Sequence, residues 1–166
     1  MPHHAVIRES SSTTKLRVVF DASSHESDAR SLNDNLESGP NLNSDLVALL
    51  LNFRKYRVAL VADIEKAFLQ ISINDNDRDA LRFLWLQETP TPGHPLPDTV
   101  TFRMTRVPFR TTSSPFLLAA TLQHHIETME ATYPSTCQLL RISLYVDDLL
   151  VGASDEESTI SSGQRP

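Results

Sequence analysis

Three aspartates offer the clearest chemistry in this chain: the adjacent pair Asp147-Asp148 and the more distant Asp63. The pair sits between apolar runs at 139–146 and 149–153, and Asp63 ends another at 58–62. Two unit charges about 4 Å apart repel by roughly 4 kcal/mol at an effective dielectric near 20. A fold that holds such a pair at a tight turn needs a cation beside it, or lets one acid protonate. A third carboxylate at the end of a neighbouring strand would complete a set of hard oxygen ligands. Such a set suits Mg²⁺, which takes a few carboxylates plus water and substrate phosphates. Two such ions about 3.5–4 Å apart activate a hydroxyl and stabilise a leaving phosphate group. A plainer reading stands beside this one: a paired Asp between apolar runs is more often a solvated hairpin turn. Asp63 alone is likewise more often a strand-end or capping residue.

The elements that would carry these residues follow from periodicity. Residues 15–22, KLRVVFDA, read as a strand with Lys15 and Arg17 two apart and so on one face. Residues 23–45 are Ser-, Asn- and Asp-rich loop, with Gly39-Pro40 as a breaker. Residues 45–56 carry Leu46, Leu49, Leu50 and Phe53 at helical spacing. A strand over 58–62 leads into Asp63, and the pattern turns helical from Glu65 through Phe68 and Leu69. Strands at 81–86 and 100–104 flank TPTPGHPLP, whose four prolines make a surface loop. Ser114 as N-cap and Pro115 at the first helical position open a helix running to about Met129. A hairpin of 139–146 and 149–153 closes the pattern. This order predicts an α+β fold, with helices on one face of an antiparallel sheet and the other face free for a ligand.

Bulk properties narrow the class. At 166 residues, 40% apolar and 22% charged, the chain suits one globular domain. No apolar stretch approaches the ~20 residues of a membrane span, and Met1-Pro2-His3-His4 does not begin a signal peptide. The single cysteine, Cys137, excludes an internal disulfide and makes a reducing setting the default. The net charge of −6 argues at first against a nucleic-acid partner. Residues 1–60 balance at seven basic and seven acidic, so the excess lies in 61–166, which carry eight and fourteen. The three aspartates belong to that second set, and two divalent cations would offset four negative charges. Duplex binding by this piece alone is expected to be weak, because Lys and Arg contacts supply most non-specific affinity. His124 and His125, as helix neighbours about 100° apart, do not make a two-ligand metal face.

Taken together, four segments carry a resemblance. Tyr145-Val146-Asp147-Asp148 resembles the YxDD box of reverse transcriptases, and VALVADIEKAF (58–68) their first carboxylate motif. SSPFLLAATL (113–122) is similar to the Ser-Pro helix between those motifs, and KLRVVFDAS (15–23) to the fingers strand. With PHHAVIR (2–8), the pattern is most similar to the Bel-Pao group of LTR retrotransposons. The resemblance implies the fingers and palm of a right-hand polymerase: fingers over 1–57, palm over 58–157 and a disordered tail over 158–166. It implies Asp63, Asp147 and Asp148 as ligands of two Mg²⁺ (or Mn²⁺), with the Ile64 carbonyl as a further contact. Lys15 and Arg17 would reach the incoming deoxynucleoside triphosphate, with Arg110 and Ser114 also at the nucleotide. Phe68 would stand against the sugar and exclude a 2′-hydroxyl. Tyr145 and Val146 would lie near the primer end of an RNA or DNA template-primer.

Two departures temper the implied activity. Where the family keeps a glycine, five residues before the proline of the Ser-Pro motif, this chain has Arg110, which is expected to obstruct the pocket. The stretches for the later palm lysine, primer grip, thumb and RNase H are missing, and STISSGQRP (158–166) does not continue the pattern. The expected identity is thus a truncated fingers-palm piece of an RNA-directed DNA polymerase, with no membrane partner and, by family, a place in cytoplasmic retroelement particles. The competing reading is an inactive palm remnant that only binds metal or protein. A calcium-binding domain is the weakest reading, since the acids lack Asp-x-Asp-x-Asp-Gly spacing.

Overall fold

The computed structural model describes residues 1–10 and 15–154, so the expected tail and the end of the expected palm lie outside the described residues. The described chain forms three small sheets, all antiparallel, rather than one. It divides into two compact units, each assembled from two segments: Met1–Ser38 with Phe68–Ser114, and Gly39–Ala67 with Pro115–Pro166. The chain therefore crosses between units three times.

In the first unit, β1 (His3–Ile7) pairs with β2 (Leu16–Phe20), His3 opposite Phe20 and Ile7 opposite Leu16. Beyond the short helix α2 (Ala67–Gln70), β4 (Arg82–Leu86) pairs with β5 (Thr99–Arg103), Phe83 opposite Phe102. Two-stranded ribbons are marginal alone, and aromatic rings join these two. His3 stacks on Trp85 at 4.9 Å, and Phe20 meets Phe83 edge-on at 5.0 Å. The N-terminal ammonium donates to the Arg82 carbonyl at 2.6 Å. The proline-rich stretch 89–97 carries no helix or strand, as four prolines dictate.

In the second unit, α1 (Leu46–Phe53) starts at Asp45, whose carboxylate accepts the Ala48 N–H at 2.8 Å as a proper N-cap. After it, β3 (Val58–Asp63) pairs with β7 (Asp148–Ala153), which pairs in turn with β6 (Leu144–Tyr145). The long helix α3 (Ser114–Met129) buries Leu118, Ala119 and Ile126, and its Phe116 ring covers Gly39. A further helix, α4 (Pro134–Ser143), packs with α1 against β7.

That helix corrects the expected strand at 139–146. Leu140-Arg141-Ile142-Ser143-Leu144 alternates apolar and polar, which mimics a half-buried strand. Pro134 at the first helical position is the start signal that competes with it. The structure buries Cys137 and Ser143 and leaves Ile142 53% exposed, the reverse of what the strand would have done. The apolar strand before the aspartate pair shrinks to Leu144–Tyr145.

Gly152 on β7 has a structural reason: a Cβ there would run into the Tyr56 side chain. Gly152→Ala should lower stability by about 1–3 kcal/mol, the range for forcing a methyl into a packed contact. Tyr56→Ala in the same chain should remove most of that increment. Urea unfolding of the four chains measures it, and equal penalties in both backgrounds would disprove the contact.

Candidate functional site

Register brings two of the three aspartates face to face. Asp63, the last residue of β3, is the cross-strand partner of Asp148, and Asp148 is also the partner of Tyr145. Directly opposed residues share a face, so Tyr145, Asp148 and Asp63 form one row across the sheet. Side chains alternate along each strand, which sends Leu60 and Val151 inward and leaves Val61, in step with Asp63, 60% exposed. The carboxylate row thus lies on the open face. Asp63 and Asp148 are exposed and Asp147 half-buried.

Val146 and Asp147 form the two-residue turn between β6 and β7. Such loops follow the strand twist only in primed forms, which require positive φ at the first central residue. That position is Val146, with φ +58°, while Asp147 does not take positive φ. A β-branched residue in the left-handed region costs roughly 1–2 kcal/mol. The Asp147 carbonyl accepts the Ile64 N–H at 2.9 Å, so the turn is tied back to the end of β3. The Ile64 carbonyl accepts the Ala67 N–H at 3.1 Å, which leaves one lone pair for another contact.

Like charges directly opposed across strands are destabilising. Among the described residues, no Lys, Arg or hydrogen-bond donor pairs with the carboxylate of Asp63, Asp147 or Asp148. No three His, Cys, Asp or Glu side chains among the described residues are gathered closely enough to hold a metal by themselves. The residues fit a divalent cation in a more limited sense. Asp63 and Asp148 supply opposed, accessible, all-oxygen ligands, and Mg²⁺ is commonly held by one or two carboxylates with substrate phosphates and water completing its shell.

The remaining expected residues belong to the first unit. Arg17 stands opposite Val6, and the Arg8 N–H donates to the Lys15 carbonyl at 2.8 Å, extending the β1–β2 ladder by one pair. Lys15, Arg17 and Arg8, which the sequence did not single out, therefore share one face of the ribbon and are all exposed. Phe68 is half-buried and meets Phe109 edge-to-face, centroids 5.2 Å apart. Arg110 has φ +73°, the backbone that glycine adopts without penalty, and its side chain is exposed.

Ser114 is fully buried rather than facing a ligand: its hydroxyl donates to the Pro108 carbonyl at 2.7 Å and pairs closely with the Thr111 hydroxyl. It shapes the turn ahead of α3 instead of acting as a simple N-cap. Sequence reading passed over Asn33 and Phe109, which both touch this turn or its neighbours. Asn within a Ser/Asn/Asp-rich loop was the available signal, because such side chains bond to nearby backbone.

No curated protein matches the chain. The family profile described as reverse transcriptase (RNA-dependent DNA polymerase) matches residues 8–164, which takes in every element placed above except β1. Reverse transcriptases act on nucleic acid template-primers and deoxynucleoside triphosphates and generally use divalent metal ions. The chain belongs to the reverse transcriptase family.

Proposed function

We propose that this chain is the fingers and palm of a retrotransposon RNA-directed DNA polymerase of the Bel-Pao type. The single observation that carries the reading is the cross-strand pair Asp63–Asp148, on an open sheet face and with no cation partner among the described residues. The segments 1–38 and 68–114 make the fingers and 39–67 with 115–154 the palm. The subtype rests on PHHAVIR and KLRVVFDAS. Its place, by kinship, is a cytoplasmic retroelement particle, and thumb and RNase H regions of a parent polyprotein are its working partners.

The palm residues have distinct tasks on this reading. Asp63, Asp147, Asp148 and the Ile64 carbonyl would hold two Mg²⁺, or Mn²⁺ in their place, with substrate phosphates and water completing their shells. When bound, the ions would supply charge stabilisation for an attacking primer hydroxyl and a departing pyrophosphate. Val146 holds the turn that presents Asp147, and Tyr145 supports the primer end beside Asp148. Lys15 and Arg17 contact the nucleotide phosphates, Arg17 through a forked guanidinium. Phe68 stands against the sugar and disfavours a 2′-hydroxyl. Ser114 serves the nucleotide indirectly, by holding the turn that carries Arg110.

Arg110 favours a second reading, a catalytically inactive palm remnant that binds only metal or protein. A left-handed position that glycine would fill without strain carries a long cation instead, at a cost of roughly 1–2 kcal/mol. Both the strain and the bulk point to reduced catalysis.

Primer extension on an RNA template with Mg²⁺ or Mn²⁺ separates the readings. Asp147→Asn or Asp63→Asn should lower extension at least about 100-fold, the order lost with a catalytic electrostatic contact. Unchanged extension in either would sink the assignment, and metal binding without extension would favour the remnant. Arg110→Gly should raise both extension and the urea midpoint, the latter because the left-handed strain is gone. No gain in extension would mean that Arg110 is tolerated at the pocket. Val146→Gly should raise stability by up to about 1 kcal/mol, as relief of left-handed strain outweighs the added chain entropy. A drop in stability would show that the Val146 side chain contributes more through packing than its backbone costs.

A further inference from the structure

Asn33 makes six hydrogen bonds, and only one of them, from the Leu36 N–H to its carbonyl at 3.4 Å, holds its own turn. Its N–H donates to the Ala22 carbonyl at 3.0 Å, and its carbonyl accepts the Thr112 hydroxyl at 3.4 Å. Its side-chain Nδ2 donates to the Ser23 hydroxyl at 2.8 Å and to the Arg110 carbonyl at 3.3 Å. Its Oδ1 accepts the Thr112 N–H at 2.9 Å. One amide thus grips the two peptide groups that follow the Arg110 Cα. The orientation of the first of these peptides is the ψ angle of Arg110, so the grip fixes the backbone at the left-handed residue itself.

The clamp is well anchored. The Ser31 hydroxyl and N–H both donate to the Asp34 carboxylate, at 2.7 and 2.9 Å, and these bonds hold its carboxyl below the usual range. Asn35 donates to the Ser31 carbonyl at 2.7 Å. On the far side of the turn, the Ser114 hydroxyl holds the Pro108 carbonyl. Strained backbone persists only where its surroundings over-determine it, and here bonds fix the peptides on both sides of Phe109-Arg110. Phe109 rides on that turn and meets Phe68 at 5.2 Å.

We propose that Asn33 is a positioning residue: its amide locks the Arg110 turn in the left-handed form and thereby seats Phe109 against Phe68. The proposal rests, for its nucleotide consequence, on Phe68 standing at the sugar. It assigns to the Leu32-Asn33-Asp34-Asn35 turn a part in choosing deoxynucleotides over ribonucleotides.

Equilibrium dialysis of the full chain with dATP and with ATP, in Mg²⁺, reads that choice directly. Asn33→Ala should cut the preference for dATP about fivefold, the equivalent of one net hydrogen bond. Arg110→Gly in the same chain should bring the preference back to within about twofold of the starting value, because glycine holds positive φ unaided. A merely structural role for Asn33 in its own loop would gain nothing from that second change. An unaltered preference in Asn33→Ala, or no rescue by Arg110→Gly, overturns the proposal. If Asn33→Ala does not fold, Asn33→Asp replaces it, since it keeps the acceptor for Thr112 and removes the donor to Arg110. A starting chain that binds neither nucleotide, or binds both equally, refutes the reading of Phe68 and leaves the clamp to be judged by unfolding. In that case Asn33→Ala must lower the urea midpoint less in the Arg110→Gly chain than in the original. Equal losses overturn the clamp as well.

Discussion

Like charge meets like charge where β3 ends and β7 begins, and the local architecture is organised around tolerating that encounter. Asp63 and Asp148 are forced opposite each other by a register that runs unbroken from Val58 and Ala153. Slipping β3 by one residue would turn Leu60 away from Val151 and bring the exposed Val61 to the inner face in its place. The core therefore imposes the repulsion. Exposure on the open face limits it, because water screens what an interior would magnify. A divalent cation would relieve it further, and that is why the pair reads as a site rather than as a turn.

Backbone strain collects at the same places. Val146, Lys66 and Arg110 all take positive φ, and each lies within a few residues of a group expected to touch metal or nucleotide. Asp28, in an open loop, is the remaining non-glycine case among the described residues. None of the three has a local reason to be left-handed in its own sequence. Val146 is driven there by the two-residue turn, and Arg110 is held there by hydrogen bonds from Asn33 and Ser114 on either side. Stored strain of this kind is tolerated when neighbouring structure outweighs it.

The sequence made β3, the helix α1, the proline-rich loop and the start of α3 legible, because each carries a strong local signal. Asp45 and Ser114-Pro115 mark helix starts, and the prolines of 89–97 exclude a strand. The helix α4 was hidden by the alternation Leu140 to Leu144, which fits period two as well as it fits a helix with one exposed Ile. The aspartates were legible as a set, but not their pairing: the opposition of Asp63 to Asp148 is a property of register, which depends on residues about 85 positions apart. Asn33 was legible only as loop, since the partners that give it a role, Arg110 and Thr112, come from a distant segment.

The acidity of the chain fits its proposed chemistry once it is located. The 39–67 and 115–166 segments carry six Lys/Arg and ten Asp/Glu, against nine and eleven in the other unit. The net charge of the former is thus −4, equal and opposite to that of two divalent cations. The cations proposed to meet the nucleotide phosphates, Lys15 and Arg17, lie on the β1–β2 ribbon, with Arg8 on the same face. An unmetallated polymerase palm must be acidic where the metals go, so a negative total is no argument against a polyanionic substrate. The sign of the whole chain carries less information than which face each charge is on.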